Sequence, residues 1–131
     1  MEKKNLIGQI HDAMYQNIKS KGYVAPVDIL MDIGVLLRKD YDDWRYGRVV
    51  FLEKVCRVNL RVLSNIMKEI RAYAKNNNLK PSYSCYHQWG KNKDKILQFS
   101  KSSDKRIELN YSTHFVDIEA IQHQKNNPGS K

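Results

Sequence analysis

The sequence predicts an α+β fold, mainly helical, in which short helices pack on one long helix and a β-hairpin follows near the C-terminus. Three observations predict it. Apolar residues recur at helical spacing over residues 4–20 and 49–75. Glycine and proline punctuate the chain between those stretches. Two strand-like runs, 82–89 and 96–100, flank a polar loop. The chain has 131 residues, of which 41% are apolar and 10% aromatic, enough to bury a core without disulfides or metals and too apolar for disorder. One domain is expected over residues 1–121, with a flexible tail over 122–131.

The elements follow in order. Leu6, Ile10, Met14 and Ile18 share a helical face, and Gly22 stops that helix. Residues 23–25 read as a connector. Pro26 opens a short helix, since its fixed φ and missing N–H suit a first helical position, and Gly34 closes it. Asp40 is expected to cap a helix that carries Tyr41 and Trp44 and stops at Gly47. The long helix then runs to Lys75, its apolar side marked by Leu52, Val55, Leu63, Ile66 and Ile70, and residues 76–81 end it with three asparagines and a proline. Strand alternation puts Tyr83, Cys85, His87 and Trp89 on a core face with Leu97 and Phe99, and leaves Tyr86 exposed. Ser103 or Asp104 caps a last helix through about Ser112.

Charge is the strongest functional signal. The net charge is +9, from 23 basic and 14 acidic side chains. Residues 55–80 hold six basic and one acidic side chain, and residues 81–106 hold six basic and two acidic, so these two segments carry the whole excess. On the long helix Lys54, Arg57, Arg61, Lys68, Arg71 and Lys75 fall within an arc of about 100° opposite the apolar side. Solvated helix faces usually mix signs, because like charges at i,i+4 repel. A face kept to one sign points to an anionic partner. Lys91, Lys93 and Lys95 at the hairpin tip, with Tyr86 as a stacking aromatic, extend the candidate nucleic-acid-binding set.

Short helices, a long helix and a basic hairpin together resemble a winged-helix arrangement, and residues 29–35 resemble the first helix and turn of a helix-turn-helix. The helix after that turn carries Asp40, Asp42 and Asp43, which DNA phosphates would repel, so the long helix and hairpin are the better contact elements. Residues 40–48 mix acids, aromatics and arginines; a buried Trp44 with Arg45 or Arg48 paired to Asp40 or Asp43 accounts for them without a recognition role.

The sequence offers no catalytic residues, no metal ligands and no cofactor site. There is no Gly-rich phosphate loop and no nucleophile elbow. His87 in a strand, followed by Asn110 and His114 around a helix, resembles the ββα-metal nucleases. That resemblance implies a metal-dependent nuclease. The second ligand beside the first histidine and the wider Asn-to-His gap of that family are missing, so satisfied histidines account better for the pattern. Cys85, His87 and His114 would make only a partial zinc site. Cys56 and Cys85 are expected as reduced, largely buried thiols in a cytoplasmic protein. The N-terminal run develops no signal-type apolar region, and no stretch approaches a membrane span.

Tyr23-Val24-Ala25-Pro26-Val27-Asp28-Ile29-Leu30, Trp44-Arg45-Tyr46-Gly47-Arg48-Val49 with Leu52-Glu53-Lys54-Val55, and Phe99-Ser100-Lys101-Ser102 with Tyr111-Ser112-Thr113-His114-Phe115-Val116 resemble a family of small bacterial proteins. The resemblance implies a self-contained domain and carries no activity with it. The expected function is a non-catalytic nucleic-acid-binding module, for DNA or RNA. The alternatives are an interaction or inhibitor module docking on an acidic protein surface, and the ββα-metal-type nuclease.

Overall fold

A computed structural model describes residues 3–119; the expected tail lies outside them. The architecture is α+β and mainly helical. Helix α1 (Lys3–Lys21) leads to strand β1 (Tyr23–Val24), then to helices α2 (Pro26–Asp32) and α3 (Arg38–Arg45). A 3-10 turn (Leu52–Val55) precedes α4 (Leu60–Asn76). Strand β2 (Lys80–Tyr83), helix α5 (Lys105–Ser112) and strand β3 (Thr113–Val116) complete the order.

The helix signals act as their chemistry dictates. Pro26 stands at the start of α2, and the Asp104 carboxylate caps α5 by accepting the N–H groups of Arg106 (2.9 Å) and Ile107 (3.2 Å). Leu37, not Asp40, is the residue before α3, and Asp40 sits in its first turn, where a negative charge still complements the helix dipole.

The expected long helix is broken. Residues 49–59 lie outside it, because backbone groups within them bond elsewhere. Leu52 and Glu53 donate N–H bonds to the carbonyls of Gln98 (3.2 Å) and Phe99 (2.9 Å), and Arg57 donates to Val35 (2.8 Å). Helix α4 then starts at Leu60, capped by Asn59, whose side chain accepts the Val62 N–H at 2.9 Å.

The three strands form one antiparallel sheet with β3 in the centre, order β1-β3-β2. Tyr23 pairs with Val116 and Val24 with Phe115; Pro81 pairs with Phe115 and Tyr83 with Thr113. Residues 23–25 are therefore more than a connector. The expected hairpin is reduced to a single antiparallel bridge, His87 with Ile96, flanked by Gln88 N–H to Lys95 O and Leu97 N–H to Tyr86 O. The strand partner of β2 is β3.

The buried side chains form one core that draws on all five helices. Its aromatic corner centres on Trp44, which is 0% exposed and donates its indole N–H to the Gln98 carbonyl at 2.8 Å. Around it lie Phe99 (5.1 Å between ring centroids) and Tyr86 (5.7 Å). Arg48 pairs with Asp43 at 3.0 Å. The Arg45 guanidinium lies over Trp89 (4.7 Å) and Tyr86 (5.0 Å), contacts in which the ring faces attract the cation.

Two carboxylates hold the loop between Phe99 and Lys101. Glu108 on α5 accepts the N–H groups of Phe99 (2.8 Å) and Ser100 (2.7 Å) and the Ser100 hydroxyl. Glu53 on the 3-10 turn accepts the Lys101 N–H (3.0 Å) and the Tyr111 hydroxyl (2.8 Å). Burial first, and then the Glu53 carboxylate, raise the Tyr111 phenol above its ordinary pKa, which keeps the donor protonated. Glu108 is thus a structural acceptor.

Candidate nucleic-acid interface

Helix α4 carries Arg61, Lys68, Arg71 and Lys75 on its outer side; Arg71 is half-buried and the other three are exposed. None of the four is in an ion pair among the described residues. The one carboxylate of α4, Glu69, is occupied by His11 of α1, whose Nε2 lies 2.8 Å from Glu69 Oε1. That pair leaves the basic side chains of the helix unneutralised.

The basic face divides between two grooves. On the α1 side a groove of about 900 Å³ is lined by Arg57, Arg61 and Lys68 together with Leu6 and Ile7. Arg57 has left the helix, yet it rejoins the cationic set here. Lys54, on the 3-10 turn, and Lys75, near the end of α4, are exposed and line neither groove. On the α5 side a groove of about 600 Å³ is lined by Arg71 and Lys101, with Ser64, Asn110, Leu60 and Met67. A smaller hollow of about 280 Å³ adjoins it through the shared Arg71 and Asn110, and adds Arg106, Tyr83 and Phe115.

Sheet register explains why Tyr83 reaches this hollow. Pro81, Tyr83, Thr113 and Phe115 share one face of the sheet, which turns toward α4 and α5. His114 lies on the opposite face. Tyr83 is 71% exposed. Asn110 makes no side-chain hydrogen bond among the described residues, whereas the Thr113 hydroxyl donates to the Leu109 carbonyl at 2.6 Å.

Several sequence expectations need correction. Tyr86 is 7% exposed, not an open aromatic; its ring packs in the Trp44 corner and its hydroxyl lies 3.0 Å from His114 Nε2. Tyr83, Cys85 and His87 are exposed instead. The alternation was inverted because β2 ends at Tyr83 and pairs with β3. Lys91, Lys93 and Lys95 are exposed, but their turn packs against the end of α3. There the Trp89 N–H donates to the Arg45 carbonyl at 2.7 Å and Tyr46 stacks edge-on with Trp89 at 5.4 Å. Neither groove beside α4 includes a tip lysine.

The nuclease-like residues are not brought together. Helix α5 ends at Ser112, so the i,i+4 relation of Asn110 and His114 is lost and the two point to opposite faces. Among the described residues no three His, Cys, Asp or Glu side chains are grouped to hold a metal ion. Burial is the main force holding the His114 pKa below 6.5; nearby Lys21 acts the same way and Asp28 opposes it. Cys56 is half-buried, while Cys85 is exposed and not buried as expected.

Sequence reasoning missed Lys101 and Arg106 as site residues, assigned Tyr83 to the core, and singled out Asn110 only as part of the nuclease-like pattern. The surplus of basic residues over 81–106 did include Lys101 and Arg106; their place beside Arg71 depends on α5 packing next to α4, which no local pattern encodes. No described helix is long and apolar enough to cross a membrane. No family model matches the chain, and neither does any curated protein or solved structure.

Proposed function

We propose that this chain is a non-catalytic nucleic-acid-binding module that meets phosphates with the outer face of α4. One observation carries the reading: Arg61, Lys68, Arg71 and Lys75 keep a single sign along the helix, without ion-pair partners among the described residues. Like charges at this spacing cost helix stability, and counterion release on phosphate binding would offset that cost. In a winged-helix-like use of the fold, Lys91, Lys93 and Lys95 add a separate phosphate contact. A cytoplasmic location goes with this reading, since two free thiols stay reduced there.

The test is a salt titration of binding to labelled duplex DNA, single-stranded DNA and RNA. Affinity is expected to fall steeply between about 50 and 200 mM salt. The double variant Arg61→Glu/Lys68→Glu should weaken binding at least about tenfold and flatten the salt slope by about 2, while Lys39→Glu on α3 leaves both unchanged. Absence of binding to all three nucleic acids at low salt refutes the proposal.

A second reading has one observation in its favour. Leu60, 57% exposed, and Met67 add apolar lining to the α5-side groove beside Arg71 and Lys101, a surface that also suits an acidic protein partner. A pull-down with nuclease treatment separates the two, since a protein partner survives the nuclease.

A further inference from the structure

The hollow between α4, β2 and α5 combines features that a plain phosphate-binding face does not need. Its mouth carries an aromatic ring, Tyr83, that is 71% exposed on an edge strand. Two arginines from different helices, Arg71 and Arg106, stand in the same hollow, and neither is in an ion pair among the described residues. The Asn110 amide, with a donor and an acceptor and no bond within the described residues, lines both this hollow and the larger groove. Leu109 and Phe115 supply an apolar wall. Concavity, an open ring, an unused amide and flanking cations are what an unpaired base with its phosphates requires. A duplex keeps its bases stacked inside and offers the Tyr83 ring nothing to lie on.

Resting on the nucleic-acid reading above, we propose that this hollow holds one unpaired nucleotide, its base on the Tyr83 ring and its edge toward Asn110, with Arg71 and Arg106 on the neighbouring phosphates. The partner is then a single strand, and the chain continues past Arg71 into the groove toward Lys101. Tyr83 takes the stacking role, and Tyr86 belongs to the core.

The experiment measures fluorescence anisotropy of the full chain with labelled dT15, U15 and a 15-base-pair duplex at low salt, for the wild type, Tyr83→Ala, Tyr83→Phe and Asn110→Ala. The single strands are expected to bind at least about tenfold tighter than the duplex. Tyr83→Ala should weaken strand binding roughly 5- to 100-fold, Tyr83→Phe should retain it, and Asn110→Ala should weaken it less than Tyr83→Ala. Because Tyr83 is exposed, the Tyr83→Ala thermal midpoint should match wild type, which separates lost binding from lost folding. Equal binding of strand and duplex, unaffected by Tyr83→Ala, overturns this inference and leaves the basic-face reading standing. No binding to any nucleic acid overturns both. Poly-glutamate that binds as tightly as the strands, with no dependence on Tyr83, assigns the groove to an acidic protein and likewise overturns it.

Discussion

The Tyr86 hydroxyl lies 3.0 Å from His114 Nε2, tying the loop after β2 to the central strand of the sheet. Both residues look available in the sequence, one as a stacking ring and the other as a metal ligand. Each instead satisfies the other. The Tyr23 ring stacks over His114 from β1, with centroids 6.1 Å apart, and Tyr86 meets the same imidazole edge-on at 5.8 Å. Burial pushes the Tyr86 phenol above its ordinary pKa, so the hydroxyl remains protonated at neutral pH. This part-buried polar pair helps fix where the loop lies against the sheet, because parting them leaves the buried Tyr86 hydroxyl without that partner.

His114 should contribute a loss of stability as pH drops below 6.5. Burial holds its folded pKa below the ordinary 6.5, with Lys21 from α1 adding to the effect and Asp28 from α2 opposing it. As pH falls, the unfolded chain therefore takes up this proton first, and protons bound preferentially by the unfolded state reduce stability. The contribution is complete above 6.5, declines through the interval down to the folded value and is constant below that. Urea midpoints measured from pH 7.5 to 5 should decrease in this window for the wild type. His114→Gln, which cannot titrate, should show a flatter profile there. Identical profiles would refute the assignment.

Legibility followed the range of the interactions. Pro26, Gly22, Gly34 and Asp104 speak through their own backbone neighbours, and α1, α2 and α5 begin and end close to where those residues predict. The sheet depends on Tyr23 meeting Val116 across most of the chain, a pairing with no local signature. The break over residues 49–59 has the same origin, since its cause is backbone bonding to Val35, Gln98 and Phe99. For the site, Arg61, Lys68 and Arg71 were legible because their spacing is helical and they stayed on one helix. Tyr83 and Tyr86 were exchanged because alternation groups residues by face without stating which face is inward. Only the pairing of β2 with β3 decides that.

The two thiols should differ sharply in reactivity. Burial, then the charges of Glu53 and Asp40, push the Cys56 thiol up to about 12, and its sulfur lies 3.6 Å from the Leu52 carbonyl as a weak donor. Cys85 is exposed. Since the thiolate is the nucleophile, a disulfide reagent at pH 8 should label Cys85 at least about 100-fold faster than Cys56, and Cys85→Ser should abolish the fast phase. Two equal phases would refute the difference.

Removing Glu108 should destabilise the fold more than removing any solvated carboxylate. Its two oxygens accept the N–H groups of Phe99 and Ser100 and the Ser100 hydroxyl, and both Phe99 and Ser100 are buried. Glu108→Ala leaves those donors without acceptors, at a cost of about 2–3 kcal/mol, since unsatisfied buried groups retain their desolvation penalty. Glu108→Gln keeps one carbonyl oxygen of similar shape and loses the charge-assisted part, so it should cost less than the alanine variant. The same loop carries Lys101 into the α5-side groove, held by Glu53 at 3.0 Å. Loosening it should therefore also weaken whatever the groove binds, even though Glu108 itself does not line it. The measurement is the urea midpoint of Glu108→Ala, Glu108→Gln and, as a control, Glu119→Ala, with an exposed side chain, read at unchanged denaturant slope. A loss for Glu108→Ala no larger than that of the control would show that the loop is held by packing of Phe99 against Trp44 and Tyr111 and not by the carboxylate.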